Sequence, residues 1–97
     1  MTRYAKRKDR NHDEIQAVFE RMLAGHVTDS SAWGGGAGDL FVSYCAAGAF
    51  IEIKDGEAKR LTALQIRFKN AHPENWYRVD SIEAAIEVAT LLRKLGG

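Results

Sequence analysis

Cysteine and proline each occur once in the 97 residues, at positions 45 and 73. A single cysteine excludes an internal disulfide and any zinc site built from several thiolates. It suits a reducing cytoplasm, and Cys45 itself, set in an apolar run, is expected to be a buried, inert thiol. No apolar run approaches the ~20 residues of a membrane span, and no apolar core follows the basic N-terminus as it does in a secretory signal. The expectation is a cytoplasmic protein without a membrane partner. His12, His26 and His72 show neither His-x-x-x-His nor Glu-x-x-His spacing, so exposed or capping histidines are expected rather than a metal set. The glycine run at 34–38 is not followed by Gly-Lys-Ser/Thr, which excludes a P-loop, and no Gly-x-Ser-x-Gly elbow of a serine hydrolase is present.

What remains is enough for one small domain. Hydrophobic residues make up 45% of the chain, which supports a single core and disfavours disorder. The net charge of +1 hides an asymmetry. Residues 1–10 hold Arg3, Lys6, Arg7, Lys8 and Arg10 against Asp9, a balance of +4, so the rest of the chain carries −3. The chain divides into a basic arm, 1–10, and a domain, 11–97. Such an arm suits phosphate contact as well as it suits a solvated terminus.

The order of elements reads as α-β-β-β-α-β-α, a small mixed sheet flanked by helices and hence an α/β fold. Ile15, Val18, Phe19, Met22 and Leu23 form one apolar stripe over 11–24, with Asn11 as N-cap and Gly25 beyond the end. Asn11-x-x-Glu14 has the spacing of a capping box. A short strand is expected within 26–32 and a loop over 33–38, with Trp33 read as a core-edge aromatic in preference to a base-stacking one. Helix 62–71 is expected to bury Leu61, Leu64, Phe68 and Ala71. Thr62-x-x-Gln65 opens it as a capping box, and Leu61 and Ile66 are placed to form a hydrophobic staple. Pro73 ends it, 76–79 is a strand, and Asp80 caps a last helix whose apolar face is Ile82, Ala85, Ile86, Ala89 and Leu92.

The chemistry concentrates in GGGAGDLFVSYCAAGAFIEIK, residues 34–54. Leu40 to Tyr44 and Phe50 to Ile53 are β-prone runs, and Ala46, Ala47 and Gly48 supply a turn between them, with Gly48 free to take positive φ. Residues two apart share a face of a strand, so Glu52 and Lys54 point together while Ile51 and Ile53 point to the opposite layer. Folding the hairpin returns Asp39 to that end. Charges on apolar strands are costly unless something compensates them. A divalent metal with a phosphate substrate would do so; a structural ion-pair network is the alternative. Lys59 and Arg60, in the following turn, are further candidates for phosphate contact.

An acidic residue at a strand start, followed by Glu-x-Lys on the next strand, resembles the PD-(D/E)xK nuclease superfamily. The pieces Asn11-His12-Asp13-Glu14-Ile15, Gly34 to Asp39-Leu40, Ile51-Glu52-Ile53-Lys54-Asp55-Gly56 and Leu61-Thr62-Ala63-Leu64-Gln65 resemble, in order and spacing, its VRR-NUC branch of small replication and repair nucleases. The resemblance runs from about Arg10 to Leu92. Gly38 and Ala63 stand where that family has proline, so the loop entering Asp39 is expected to be more flexible. The resemblance implies a restriction-endonuclease-like core. It also implies a Mg²⁺- or Mn²⁺-dependent DNA endonuclease, with Asp39, Glu52, the Ile53 carbonyl and Glu14 as metal ligands and Asp13 as runner-up to Glu14. Lys54 would act on the nucleophilic water or the phosphate charge, and Gln65 would orient the lysine or the phosphate. It further implies a homodimer acting on branched, Holliday-junction-like DNA; Trp76, Tyr77, Val88, Leu91 and Leu95, more apolar than a lone domain needs, are the candidate interface residues. The rival expectation is a non-catalytic module that binds DNA or protein through the same fold.

Overall fold

The computed structural model describes residues 11–24, 26–56 and 59–97. Arg3, Lys6, Arg7, Lys8 and Arg10, read as a phosphate-binding arm, lie outside the described residues, as does Gly25. The elements run α1 (His12–Met22), β1 (Val27–Asp29), a single 3-10 turn (Ser31–Trp33), β2 (Leu40–Tyr44), β3 (Ala47–Ile53), α2 (Ala63–Ala71), β4 (Trp76–Val79) and α3 (Ile82–Gly96). This is a small α/β protein whose element order is the expected one.

The four strands form one mixed sheet in the order β1-β2-β3-β4. β1 and β2 pair antiparallel, as do β2 and β3, and β3 pairs parallel with β4. A parallel pair needs a crossover, and α2 supplies it. The hairpin turn is tighter than the sequence reading placed it. Tyr44 still pairs with Ala47, so only Cys45 and Ala46 lie between the strands. Cys45 takes a positive φ of 52° and is exposed, contrary to the buried thiol expected, because the tip of a two-residue hairpin has no layer above it. Gly48 is not a turn residue. It pairs with Ser43 inside β3, where an added Cβ would come within 3.0 Å of the Phe41 ring.

The sheet has two unlike faces. On one, Leu40, Val42, Ala49, Ile51, Ile53 and Val79 meet Ile15, Val18, Phe19 and Leu23 of the α1 region and Ala85, Ala89 and Leu92 of α3. This is the hydrophobic core. The α3 stripe is narrower than expected, with Ile82 and Ile86 exposed. Ala85, Ala89 and Leu92 of that face reach the core as expected.

The other face carries a chain of aromatic contacts running Trp33–Phe41, Phe41–Phe50, Phe50–Phe68 and Phe68–His72, with ring centroids 4.2–6.2 Å apart. α2 lies over this face through Phe68 and His72, and Lys69 sits 5.9 Å above the Trp76 ring. The buried stripe expected for α2 is not formed. Leu64, Ile66 and Ala71 are exposed, Leu61 and Phe68 are half-buried, and the one buried residue is Gln65. An exposed Ile66 leaves the expected staple without a buried side.

The caps differ in the same spirit. Thr62 and Gln65 do form a capping box. Asn11 caps nothing with its side chain. Its Nδ2 instead donates to the carbonyls of Lys54 (3.3 Å) and Asp80 (3.1 Å), fastening the start of α1 to the ends of β3 and β4. Ser81, not Asp80, caps α3, its hydroxyl accepting from Ala84 N at 3.0 Å.

Candidate functional site

Asp39 reaches the end of β3 because the loop before it is held close to that strand. Gly38 has φ +106°, and an added Cβ would lie 2.7 Å from the Ile51 carbonyl oxygen. Proline, locked near φ −65°, cannot adopt this conformation. The glycine is therefore a requirement of close approach, and the loop is tied down rather than loose. The buried Ser30 hydroxyl donates to the Gly38 carbonyl at 3.1 Å, Ser30 N donates to the Asp39 carbonyl at 2.9 Å, and Asp39 N donates to the Ile51 carbonyl at 2.8 Å. The Asp39 carboxylate, in turn, accepts from Ile53 N at 2.8 Å.

Glu52 is 3% exposed, although both its chain neighbours belong to the core. The strand alternation puts it on the α2 face, and Lys54 Nζ lies 3.4 Å from its Oε2 on that same face. Lys54 is held through its backbone from two sides, its N–H donating to the Val79 carbonyl at 3.0 Å and its carbonyl accepting from Asn11. Asp39, Glu52 and Lys54 are thus brought together at one end of adjacent strands, as expected.

Arg78 joins them. It is the register partner of Glu52 on β4, its Nη2 donates to the Gly56 carbonyl at 2.9 Å, and its Nε lies 4.0 Å from Asp80. The sequence reading missed Arg78, because its place beside Glu52 depends on the parallel pairing of β3 with β4. No local pattern encodes that pairing.

A cavity of about 260 Å³ opens beside Glu52. One wall is the glycine loop, Gly34 to Gly38 with Ser31; the other is the first turn of α2, Thr62, Leu64 and Gln65. The two walls touch: a Cβ at Gly36 would fall 2.3 Å from the Leu64 carbonyl oxygen. Gln65 Oε1 accepts from Thr62 N at 2.8 Å, so its oxygen is engaged in the cap while the residue still borders the cavity.

Other expected residues stand apart. Glu14 and Asp13 are exposed in the first turn of α1. Among the described residues no three His, Cys, Asp or Glu side chains form a metal-binding group, so Glu14 is not gathered with Asp39 and Glu52. Lys59 and Arg60 are exposed ahead of α2. His26 is exposed and His72 caps the end of α2. His12 is buried, against expectation, and its Nε2 finds no hydrogen-bond partner among the described residues. The donor set is two buried carboxylates with an amine beside them. Hard oxygen donors of that number fit Mg²⁺ or Mn²⁺, ions that are often held by one or two carboxylates and keep several waters for a phosphate to replace.

Compared with protein-family models, with curated proteins and with solved structures, the chain matches none.

Proposed function

We propose that this protein is a metal-dependent nuclease that hydrolyses phosphodiester bonds in branched DNA, with a restriction-endonuclease-like core of the VRR-NUC kind. One observation carries the reading. Asp39, Glu52 and Lys54 lie together on buried strand ends, beside a cavity that Glu52 and Gln65 border. A small mixed sheet flanked by helices is compatible with such a core.

Asp39 and Glu52 would hold Mg²⁺ or Mn²⁺, with the Ile53 carbonyl as a further donor. When bound, the ion supplies Lewis acidity to the phosphate and acidity to water. In the hydrolysis a water oxygen bonds to phosphorus, one P–O ester bond breaks, and the departing oxygen takes up a proton. Lys54 would orient that water or offset charge growing on the phosphate oxygens. Gln65, anchored by the α2 cap, borders the space where the phosphate would enter. Glu14 serves only if a second ion or a metal-held water reaches α1. Lys59 and Arg60 supply phosphate contacts outside the cavity, and the basic arm would add others.

The test is a panel of end-labelled duplex, flap and four-way junction DNAs incubated with Mn²⁺, wild type beside Asp39→Asn. The expected result is cleavage of a branched member by wild type alone. No cleavage of any member, or equal cleavage by both proteins, removes the proposal.

A second reading has its own observation. Glu52 is already paired with Lys54, and Asp39 already accepts from Ile53 N. An ion-paired, hydrogen-bonded cluster of this kind serves equally in a non-catalytic module that binds DNA or protein. Metal separates the two. Ca²⁺ or Mn²⁺ raises the melting temperature of a metal-binding wild type and not of Asp39→Asn, since a ligand bound only by the native state stabilises it.

A homodimer completes the proposal, because two sites related by a two-fold axis suit symmetric cutting of a junction. Its surface is smaller than the sequence reading drew it. Trp76 is buried, Tyr77 is half-buried and Val88 packs against the core, which leaves Leu91 and Leu95 of α3 exposed.

A further inference from the structure

Trp33 is 55% exposed, yet its indole rests on two other rings, Phe41 and Phe50, each with its centroid 6.2 Å away. An aromatic backed by aromatics and open on its outer side is a fixed platform. It stands in the chain between Ser31 and Gly34, which line the cavity, so its ring lies outside that space but next to the wall that bounds it. The opposite wall belongs to α2, and the segment 59–72 around it holds Lys59, Arg60, Arg67 and Lys69 with no carboxylate. All four cations are exposed. The cavity, at about 260 Å³, falls just short of the ~300 Å³ at which small-molecule pockets begin. It suits one group of a chain-like ligand better than a whole small molecule. A polyanion with planar rings fits all of these features, because bases stack on exposed aromatic faces while cations follow the phosphates.

We infer that Trp33 is a stacking platform for an unpaired base, so that the ligand is a nucleic-acid strand with at least one unstacked nucleotide beside the cavity. The inference rests on the reading of this site as one that handles nucleic acid, and it narrows the substrate class to structures with an unstacked nucleotide, at a single-stranded flap or at the branch point of a junction. A fully paired duplex keeps its bases stacked on one another and offers the indole no free face.

Emission tests this directly, because the two tryptophans differ: Trp33 is 55% exposed and Trp76 only 5%. Wild type in EDTA is titrated with an oligothymidylate and, separately, with a blunt duplex of equal length. The oligothymidylate quenches wild-type emission and the duplex does not. The remaining emission of Trp33→Phe stays constant under both. Fluorescence anisotropy of the labelled oligothymidylate then gives binding for Trp33→Leu, a variant that keeps apolar contact with Phe41 and Phe50. Its affinity falls roughly 5- to 100-fold, the range of one lost base–aromatic stack. Should Trp33→Leu fail to fold, as read by circular dichroism, the wild-type and Trp33→Phe titrations decide alone. Equal quenching by duplex and single strand, or wild-type affinity in folded Trp33→Leu, overturns the inference. The cleavage panel keeps the two proposals apart. Trp33-dependent binding without cleavage supports this inference and removes the nuclease reading. Cleavage with unchanged binding by Trp33→Leu does the reverse.

Discussion

Glu52 and Lys54 are each mostly out of water, at 3% and 14% side-chain exposure, and they form an ion pair at 3.4 Å. Removing one partner of a buried pair strands the other charge, which is more damaging than removing both. Lys54→Met is therefore expected to lower unfolding free energy by about 3 kcal/mol, and the double variant Glu52→Gln/Lys54→Met is expected to recover much of that loss. Urea denaturation of the three proteins measures both quantities. A double variant no more stable than Lys54→Met would mean that the pair is not coupled. The result also bears on activity assays, since an inactive Lys54 variant is informative only where it remains folded. The loop glycines give a second contrast at this scale. Gly38→Ala combines φ +106° with a contact of 2.7 Å to the Ile51 carbonyl, and a loss of roughly 2–4 kcal/mol is expected. Gly35→Ala has φ +66° but open space around it, so only the ~1–2 kcal/mol of a left-handed residue is expected. Equal losses at the two positions would show that the approach of the loop to β3 has no energetic weight.

Among the elements, α2 is the weakly held one. Gln65 is its buried residue and Phe68 is half-buried, whereas β3 is paired on both sides and buried from Ile51 to Ile53. Elements with few buried apolar contacts open first. Amide hydrogen exchange is expected to be faster across Ile66 to Ala71 than across Ala49 to Ile53, and an equal rate would contradict this account of α2. The capping box then matters more than usual. Thr62→Ala removes the acceptor for Gln65 N and is expected to cost about 1 kcal/mol, with exchange in α2 speeding up and exchange in β3 unchanged.

For the molecule as a whole, one face of the sheet holds the stability and the other holds the candidate chemistry. α1 and α3 seal the first face with aliphatic side chains. Glu52, Lys54, the cavity and the aromatic cluster occupy the second. The outer side of α3 offers a surface for assembly that uses neither. Leu95 is 63% exposed and Leu91 38%. Light scattering at micromolar concentration is expected to give the mass of a dimer for wild type and of a monomer for Leu95→Glu, because a charge placed in an apolar interface is left unpaired. A monomeric wild type would remove the dimer while leaving the metal chemistry to stand or fall by its own assay.

Periodicity determined much of this architecture by itself. The stripe from Ile15 to Leu23, the alternation across Ile51-Glu52-Ile53-Lys54 and the β-prone run from Trp76 to Val79 are local patterns, and the observed elements follow them within a residue or two. The gathering of Asp39, Glu52 and Lys54 was also legible, because any hairpin of these two runs returns the start of the first to the end of the second, even though the turn, and with it the register, was misplaced. Other features were decided only in three dimensions. The parallel pairing that sets Arg78 beside Glu52 joins segments far apart in the chain. Asn11 gave up a cap to hold the ends of β3 and β4. In α2 and α3 the expected stripes turned outward at Leu64, Ile82 and Ile86, because what a helix buries depends on the surface it meets. Of the expected α3 face, Ala85, Ala89 and Leu92 did enter the core while the two isoleucines did not. Hydrophobicity specifies which residues gain from burial, but the space left between a sheet and its helices selects which of them obtain it.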